Sequence, residues 1–434
     1  MDTNRLRSFV ATNSFLIRNS NETTIKRAVF DFDIEELLLW LCGFLGTMPI
    51  LTLFGNTLFV YMLLILTVLA VIRSFSDAKN VICIKKQAVP VTIMIVLNII
   101  SGVYCIYGDM PEVYRGGMVS TIIIEALFSL YFIIYINPNK AAMVRVFLKG
   151  IYVASVFQLL FCLIQIAYEH ITGNVLNEVL FRIEISNRAT VTGLCWHPSN
   201  LAPLFVFGCF MSKSPLTKAA FMAVSLIIGN RTAVLGVAVV IFLELVIYLY
   251  VNRSRFKVNT VMVVLMMVSV VVVTIAIFKT SLGDVIKDKF SLLAKKIDNG
   301  ISSDIHAYYW TSLPELLPIV SKWDNLYPII GVGPGNSGYI MTRHRGMYPG
   351  IRWVLECDYV SDFWSYGILG FAIRYGFYCV NAVKSIKVDI GYIVFFIAFW
   401  GMGVTYNVMY GWCILLIYSC FILISQGESL RCDR

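Results

Sequence analysis

Side chains that bind anions or exchange protons are concentrated in one stretch of this apolar chain, between residues 343 and 362. Cationic and imidazole groups come first and carboxylates follow: Arg343, His344, Arg345, Arg352, Glu356, Asp358 and Asp362. A guanidinium holds phosphate oxygens through a planar fork that an ammonium lacks. Because the stretch directly precedes an apolar run, we expect it at the depth of lipid headgroups, either as a reactive, anion-binding surface or as a solvated polar loop.

Two further arginines lie upstream, each beside an apolar run. Arg188 opens the segment RATVTGLCWHPSN, which also carries His197 and Asn200, and Arg231 lies in GNRTAVLG at a predicted tight hairpin. A charge near the bilayer is costly unless it is paired or used. The sequence therefore favours guanidinium groups that bind an anionic headgroup, with snorkelling towards the headgroups as the structural alternative.

Three other features bear on the chemistry. Glu125 and Glu244 lie inside predicted spans, where a carboxylate is either functional or paired with a neighbouring helix. Residues 331–338 (GVGPGNSG), here called the glycine-rich turn, lack the Lys-Ser/Thr ending of a nucleotide-binding loop. The 11 cysteines show no C-x-x-C or other metal spacing, so we expect no metal and no cofactor. A disulfide between Cys195 and Cys357 is one option.

The elements that must position these side chains are membrane helices. Of the 434 residues, 58% are hydrophobic and only 14% are charged, against about a quarter charged in a soluble globular chain. This composition excludes a soluble enzyme and a disordered tail protein. Since a spanning helix needs about 20 mostly apolar residues, the apolar runs predict an all-α polytopic membrane protein with about 12 transmembrane helices and one large extracytoplasmic loop.

The distribution of charge orients the chain. The net charge is +9, but no basic run with interleaved aromatic residues indicates binding to nucleic acid. Most Lys and Arg of the short segments fall on one side of the predicted spans, which makes that side, and both termini, cytoplasmic. The predicted organisation is a cytoplasmic segment (1–35), helices 1–9 (36–278), a large outer loop (279–358), helices 10–12 (359–425) and a cytoplasmic tail (426–434).

Four motifs in a fixed order carry a resemblance to a known family. They are RATVTGLCWHPSNLAPLF (188–205), GNRTAVLG (229–236), AYYWTSLPELL with PIIGVGPGNSGY (307–339) and ECDYVSDFWSYGILGF (356–371). The first is similar to R-x-x-G-x-x-x-x-P-N-x-x-A, and the third to W-x-x-A followed by G-x-G-x-G-x-F. The second is similar to a small-residue/Ser-Arg-Ser-Ala span start, and the last to H-N-x-x-L-x-x-x-x-x-x-G-x-x-G. Together they resemble the bacterial O-antigen polymerases and ligases.

The resemblance implies a GT-C-like glycosyltransferase of the bacterial inner membrane. It would polymerise undecaprenyl-diphosphate-linked repeat units, as donor and acceptor, into O-antigen or capsule-type polysaccharide, with a chain-length regulator and a flippase as partners. Arginines in place of a metal would stabilise the departing diphosphate. The implied binding residues are Arg188, His197, Asn200, Arg231, Arg343, Arg345 and Arg352. The acceptor hydroxyl needs a base, for which Glu356 ranks first, His344 second and Asp358 third.

Departures from the family pattern separate the alternatives. Glu356 stands at the family's His position, Cys357 at its Asn position, and Ser199 separates Pro198 from Asn200. In the ligases that His is the leading candidate for the base, so its replacement favours a polymerase. A ligase that transfers finished glycan to lipid A core remains an alternative, as does a polysaccharide-lipid flippase or transporter. The lack of a visible internal repeat weakens the transporter hypothesis.

Overall fold

The computed structural model describes residues 34–48, 61–69, 88–107, 110–131, 140–181, 191–195, 198–251, 313, 316, 326–346, 350, 355–404 and 412–430. These residues form helices and connecting turns, and no strand occurs among them. Residues 61–69 are helical. The helices with defined bounds are α1 (Ile34–Leu45), α2 (Ala88–Tyr107), α3 (Glu112–Ser129), α4 (Lys140–Thr172), α5 (Leu176–Phe181), α6 (Leu201–Met211), α7 (Pro215–Ile228), α8 (Arg231–Val251), α9 (Tyr327–Ile330), α10 (Gly338–Arg345), α11 (Asp358–Ser385), α12 (Gly391–Met402) and α13 (Trp412–Ser425).

Three of these helices are long and apolar enough to cross a membrane. They are the segments Val89–Ile106 of α2, Ala141–Thr172 of α4 and Arg231–Tyr250 of α8. Large apolar side chains on α2, such as Ile93 and Ile100, are exposed. Lipid tails cover such a surface at no cost, whereas water does not. The helical, membrane-type fold agrees with the sequence, while much of the predicted loop 279–358 and the predicted span over 258–278 lie outside the described residues.

Helix α6 forms the centre of the largest apolar core. Its residues Leu201–Phe210 are all buried, and it packs against α4, α7, α8 and α12. A helix that is apolar on every side has no face for polar surroundings, which explains why this 11-residue helix lies inside the bundle. The absence of a side chain at Gly208 permits close contact with Ser155 of α4 and Phe221 of α7.

The tight hairpin predicted at GNRTAVLG is confirmed between α7 and α8. Helix α7 ends at Gly229, which adopts a left-handed φ of 72°, as glycine does at helix C-termini. The side chain of Asn230 then accepts a hydrogen bond from the Ala233 amide at 3.0 Å and caps the next helix. Arg231 is therefore the first residue of α8.

Polar contacts join the starts of α4 and α12 to the segment that follows α13. Arg145, in the first turns of α4, forms an ion pair with Glu428 at 2.5 Å. The Tyr392 hydroxyl, at the start of α12, donates to the Glu428 carbonyl at 2.7 Å. The starts of α4 and α12 and the segment after α13 therefore share one end of the bundle, here called the Glu428 end.

Candidate functional site

The glycine-rich turn is docked on a break in α11. The amide of Val332 donates to the carbonyl of Trp364 at 2.9 Å, and the amide of Gly333 donates to the carbonyl of Ser365 at 3.0 Å. Carbonyls at the end of a helical stretch lack an intrahelical donor. The turn supplies these donors, so two motifs that are separate in the sequence are joined by backbone hydrogen bonds.

Two glycines make this close approach feasible. Gly331 and Gly367 adopt φ angles of 81° and 63°, a left-handed region that side chains disfavour. A Cβ on Gly331 would lie 2.1 Å from the Ser365 carbonyl oxygen, and one on Gly367 would lie 2.3 Å from the Ile329 carbonyl. The Ser101 hydroxyl of α2 donates to the Gly331 carbonyl at 3.1 Å. The glycine-rich turn is thus held between α2 and α11.

Helix α11 is a helical hairpin that reverses at Gly367, where ψ is −177°. Tyr359 and Tyr375 are 16 positions apart, which corresponds to about 24 Å along a straight helix. Their ring centroids are nevertheless only 5.5 Å apart, and those of Phe363 and Phe371 are 6.1 Å apart. Both pairs are symmetric about Gly367. The two halves of α11 therefore fold back on each other.

The hairpin changes the interpretation of this segment. We call residues 358–366 the first arm and residues 368–385 the second arm. The first arm is about 13 Å long, much shorter than the roughly 30 Å of a hydrocarbon core. The sequence predicted that the first of helices 10–12 (359–425) is one continuous apolar span. A short arm and a longer one take its place, because the backbone reverses at the glycine between them.

The direction of the first arm places Asp358 deep in the bundle. Helix α12 runs for 12 residues from the Glu428 end, which is about 18 Å. Just past its last turn, the Gly403 carbonyl accepts a hydrogen bond from the Asp358 amide at 2.9 Å. The Asp358 side chain is only 1% exposed. Asp358 is therefore buried inside the bundle, where the first arm starts and from where it runs away from the Glu428 end; its position at headgroup depth stays a prediction.

Glu356, the first candidate base, directly precedes the first arm. The Leu355 amide donates to the Ser337 hydroxyl oxygen at 3.1 Å, and the hydroxyls of Ser337 and Ser361 hydrogen-bond at 2.9 Å. The residues on either side of Glu356, Leu355 and Cys357, are buried, whereas Glu356 itself is half-buried. Contacts with the end of the glycine-rich turn and with the first arm therefore fix the backbone at Glu356. The Glu356 side chain itself stays partly exposed.

Helix α10 follows the glycine-rich turn and packs on the start of α3. The hydroxyls of Tyr114 and Thr342 hydrogen-bond at 3.0 Å, and the rings of Tyr114 and Tyr339 have centroids 5.6 Å apart. These contacts fix the helix whose last turn carries three of the predicted site residues.

Those three residues are Arg343, His344 and Arg345. Arg343 is exposed and donates to the Tyr339 hydroxyl at 2.6 Å. Partial burial, and then the charge of Arg343, lower the pKa of His344 below its ordinary value. The imidazole is therefore neutral at pH 7, the form that a general base requires.

The remaining predicted binding residues are distributed as follows. Arg188, His197 and Arg352 lie outside the described residues. Asn200 ends the 3₁₀ turn Pro198–Asn200 that leads into α6, and Arg231 begins α8. Because α7 is joined to both helices by short turns, α6 and α8 run in the same direction, and these two side chains lie at the same end of the bundle.

A second group of ionisable side chains lies between the arms of α11. Nε of Arg374 lies 3.7 Å from Oδ2 of Asp362 and donates to the Tyr378 hydroxyl at 2.8 Å. The Tyr375 hydroxyl donates to the same Asp362 oxygen at 3.0 Å. Cζ of Arg374 lies 4.5 Å from the ring centroid of Tyr366. These contacts fasten the first arm to the second.

Glu125 of α3 faces the same group. Nδ2 of Asn98, on α2, donates to its Oε2 at 3.0 Å, and Arg374 and Asp362 act on it electrostatically. We call Glu125, Asp362 and Arg374 the charged cluster. The sequence placed Glu125 inside a predicted span and Asp362 in the polar stretch 343–362, and Arg374 lies in the apolar run that follows that stretch. It did not show that they meet, because that depends on the reversal of α11.

Two options left open by the sequence are decided. Glu244 forms an ion pair with Lys218 of the neighbouring helix α7, so the pairing alternative applies to this carboxylate. Cys195 and Cys357 are both buried and free, so they form no disulfide with each other.

Within the described ranges, no group of three or more His, Cys, Asp or Glu is arranged to hold a metal ion. No protein-family model and no curated protein matches this chain.

Proposed function

We propose that this chain is a membrane glycosyltransferase that polymerises undecaprenyl-diphosphate-linked repeat units on the outer face of the bacterial cytoplasmic membrane. The observation that carries the proposal is the docking of the glycine-rich turn on the break of α11, directly beside Glu356. Two motifs of the resemblance to O-antigen polymerases thereby become one structural unit. The helical, apolar architecture is compatible with a polyprenyl substrate.

The proposed reaction assigns a role to each accessible group. Glu356 takes the proton of the acceptor hydroxyl while that oxygen forms a bond to the anomeric carbon of the donor. The bond from this carbon to the diphosphate oxygen breaks, and undecaprenyl diphosphate leaves. Arg231, Arg343 and Arg345 stabilise the charge that develops on the leaving group. His344, neutral at pH 7, is the second candidate base, and the burial of Asp358 against Gly403 makes it the weakest.

The proposal is tested in cells that carry the gene. Deletion should leave surface lipid with a single repeat unit and remove the ladder of longer polymers; an unchanged ladder contradicts the function. Glu356→Gln and Arg231→Ala should each collapse the ladder at normal membrane levels, since a general base contributes about 10²–10⁴-fold and a donor that stabilises developing charge about 10²–10³-fold. Glu178→Gln, at an exposed position of α5, is the matched control and should keep the ladder. Normal ladders in both test variants contradict the residue roles.

A transporter of the same lipid-linked glycan is the second candidate. It is favoured by the charged cluster and by the broken helix, because buried charges and discontinuous helices are typical of transport sites. Loss of a transporter leaves the repeat unit on the inner face, where a membrane-impermeant glycosidase cannot reach it. Loss of a polymerase leaves single units accessible from outside. Accumulation of finished polymer on its lipid carrier would instead indicate a ligase.

A further inference from the structure

Glu125 is a buried carboxylate whose hydrogen bonds account for only one of its oxygens. The side chain is 3% exposed, and Asn98 donates to Oε2 at 3.0 Å. Oε1 is buried and has no hydrogen-bond partner within the described part of the chain. An ionised carboxylate in apolar surroundings needs partners at both oxygens and a counter-charge, and without them it takes up a proton.

The nearest cation is already shared with another carboxylate. Arg374, 1% exposed, has its Nε next to Asp362 and Tyr378. The other side chains that act on Glu125 are uncharged phenols of α11 and α13: Tyr378, Tyr418 and Tyr366. The Tyr366 hydroxyl also interacts with the Glu125 carboxylate as a hydrogen-bond donor, although Oε1 has no partner at direct hydrogen-bonding geometry among the described residues. Two carboxylates and one guanidinium thus carry one excess negative charge when all are ionised, and a single proton makes the cluster neutral.

We propose that Glu125 is an intramembrane proton-binding site, which holds a proton while Arg374 and Asp362 form the ion pair. The assignment to Glu125 follows from the contacts. Oδ2 of Asp362 accepts a hydrogen bond from the Tyr375 hydroxyl at 3.0 Å and lies 3.7 Å from Nε of Arg374. Oε1 of Glu125 has no such partners among the described residues, so Asp362 is the carboxylate that stays ionised.

The same geometry provides for release of the proton. Nη1 and Nη2 of Arg374 are buried, and neither has an acceptor among the described residues. When Glu125 ionises, these donors can turn to its carboxylate, so the guanidinium then joins α3 to both arms of α11. Protonation of Glu125 therefore determines whether Arg374 contacts α11 alone or also α3. This inference does not depend on the function proposed above.

Infrared spectroscopy of the purified full-length protein in lipid nanodiscs tests the proposal. The wild-type chain is prepared with glutamate labelled by ¹³C at the side-chain carboxyl, and separately with aspartate labelled in the same way. A protonated-carboxyl stretch at neutral pH should shift with the glutamate label and not with the aspartate label. This measurement needs no substitution and does not depend on whether a variant folds.

Two variants assign the band to a position. Glu125→Gln should remove the glutamate band, whereas Glu35→Gln, at another buried glutamate that accepts a hydrogen bond from Tyr131, should leave the Glu125 band in place. Absence of any glutamate band at neutral pH overturns the proposal, as does its persistence in Glu125→Gln or a shift with labelled aspartate. A failure of polymerisation in cells has no bearing on this result.

Discussion

Two buried polar networks in this bundle are built on different principles. Near Gly193 the groups are neutral amides: Gln165 donates to the Gly193 carbonyl at 3.2 Å and accepts from its amide at 2.8 Å. Gln158 accepts from the Leu194 amide at 2.8 Å, and Asn177 donates to the Gly193 carbonyl at 2.7 Å. At the hairpin of α11 the groups are charged, and several of their hydrogen-bonding atoms have no partner among the described residues.

The neutral network near Gly193 positions the backbone, whereas the charged network at the hairpin of α11 has groups that are available for chemistry. A network of neutral groups bonded to backbone favours one conformation, because moving any of these side chains would leave a buried backbone donor or acceptor short of a partner. Of its side-chain atoms, Oδ1 of Asn177 has no partner among the described residues. It fixes the segment 191–195, which belongs to the first of the four motifs. A network of charges with spare donors has more than one arrangement of similar energy, so it responds to protons or to an approaching ligand.

The largest effect is expected from removal of the single cation in the charged cluster. Arg374→Leu leaves the ionised Asp362 carboxylate buried without its counter-charge, beside the protonated Glu125, and should destabilise the protein by about 3–5 kcal/mol. The loss should shrink as the pH falls, since Asp362 then takes up a proton as well. Denaturant unfolding in detergent measures it. The double variant Arg374→Leu/Asp362→Leu should recover much of the stability, and a single variant as stable as wild type would show that the ion pair is dispensable.

The second-largest effect is expected from a substitution at a glycine with left-handed backbone. Gly367, at the hairpin of α11, is compared with Gly193 of the neutral network. Gly367→Ala places a Cβ 2.3 Å from backbone atoms of Ile329, which cannot move aside. We expect a loss of about 2–4 kcal/mol, from overpacking and left-handed strain together. Gly193→Ala meets the end of the Gln158 side chain at 2.3 Å. That side chain can move at the cost of its hydrogen bond to the Leu194 amide, without a backbone shift, so the loss should be smaller. Gly376→Ala, with open space around it, is the control.

Thermal unfolding of these three variants in one detergent gives the ranking. Equal losses for Gly367→Ala and Gly193→Ala would mean that the docking of the glycine-rich turn on α11 is no more restrictive than a side-chain contact.

A smaller loss is expected in the neutral network. Gln165→Leu leaves the Gly193 amide and carbonyl short of partners, which costs about 1–3 kcal/mol. Unlike the loss in Arg374→Leu, this one should not depend on pH, because no charged group is involved. A pH-dependent loss in Gln165→Leu would contradict the distinction between the networks.

The smallest change is expected for Glu125→Gln, because an amide has nearly the shape of a protonated carboxyl. We expect less than about 1 kcal/mol at neutral pH, within the range of conservative replacements. A proton bound only in the folded state contributes stability that is lost as the pH rises through the titration of that group. Wild type should therefore lose stability at alkaline pH more steeply than Glu125→Gln. Parallel curves would argue against proton binding.

Features with a local cause were predictable from the sequence. The helix turn at Gly229 and Asn230 follows from residues that end one helix and cap the next. The burial of α6 follows from a segment with no polar face. The reversal at Gly367 was not predictable in this way, because a glycine inside an apolar run is equally compatible with a continuous helix; only the backbone of Ile329 and Gly331 against it requires the turn.

Composition and periodicity are local properties of the chain, so they suffice to predict the helical, membrane-type architecture and to identify the few polar groups available for chemistry. Which of those groups meet depends on the fold. It buried Asp358, left Glu356 half-buried beside the glycine-rich turn, and brought Glu125, Asp362 and Arg374 together. The physical reason is the reversal of α11: it brings side chains on opposite arms into contact, although their sequence separation would keep them far apart in a straight helix.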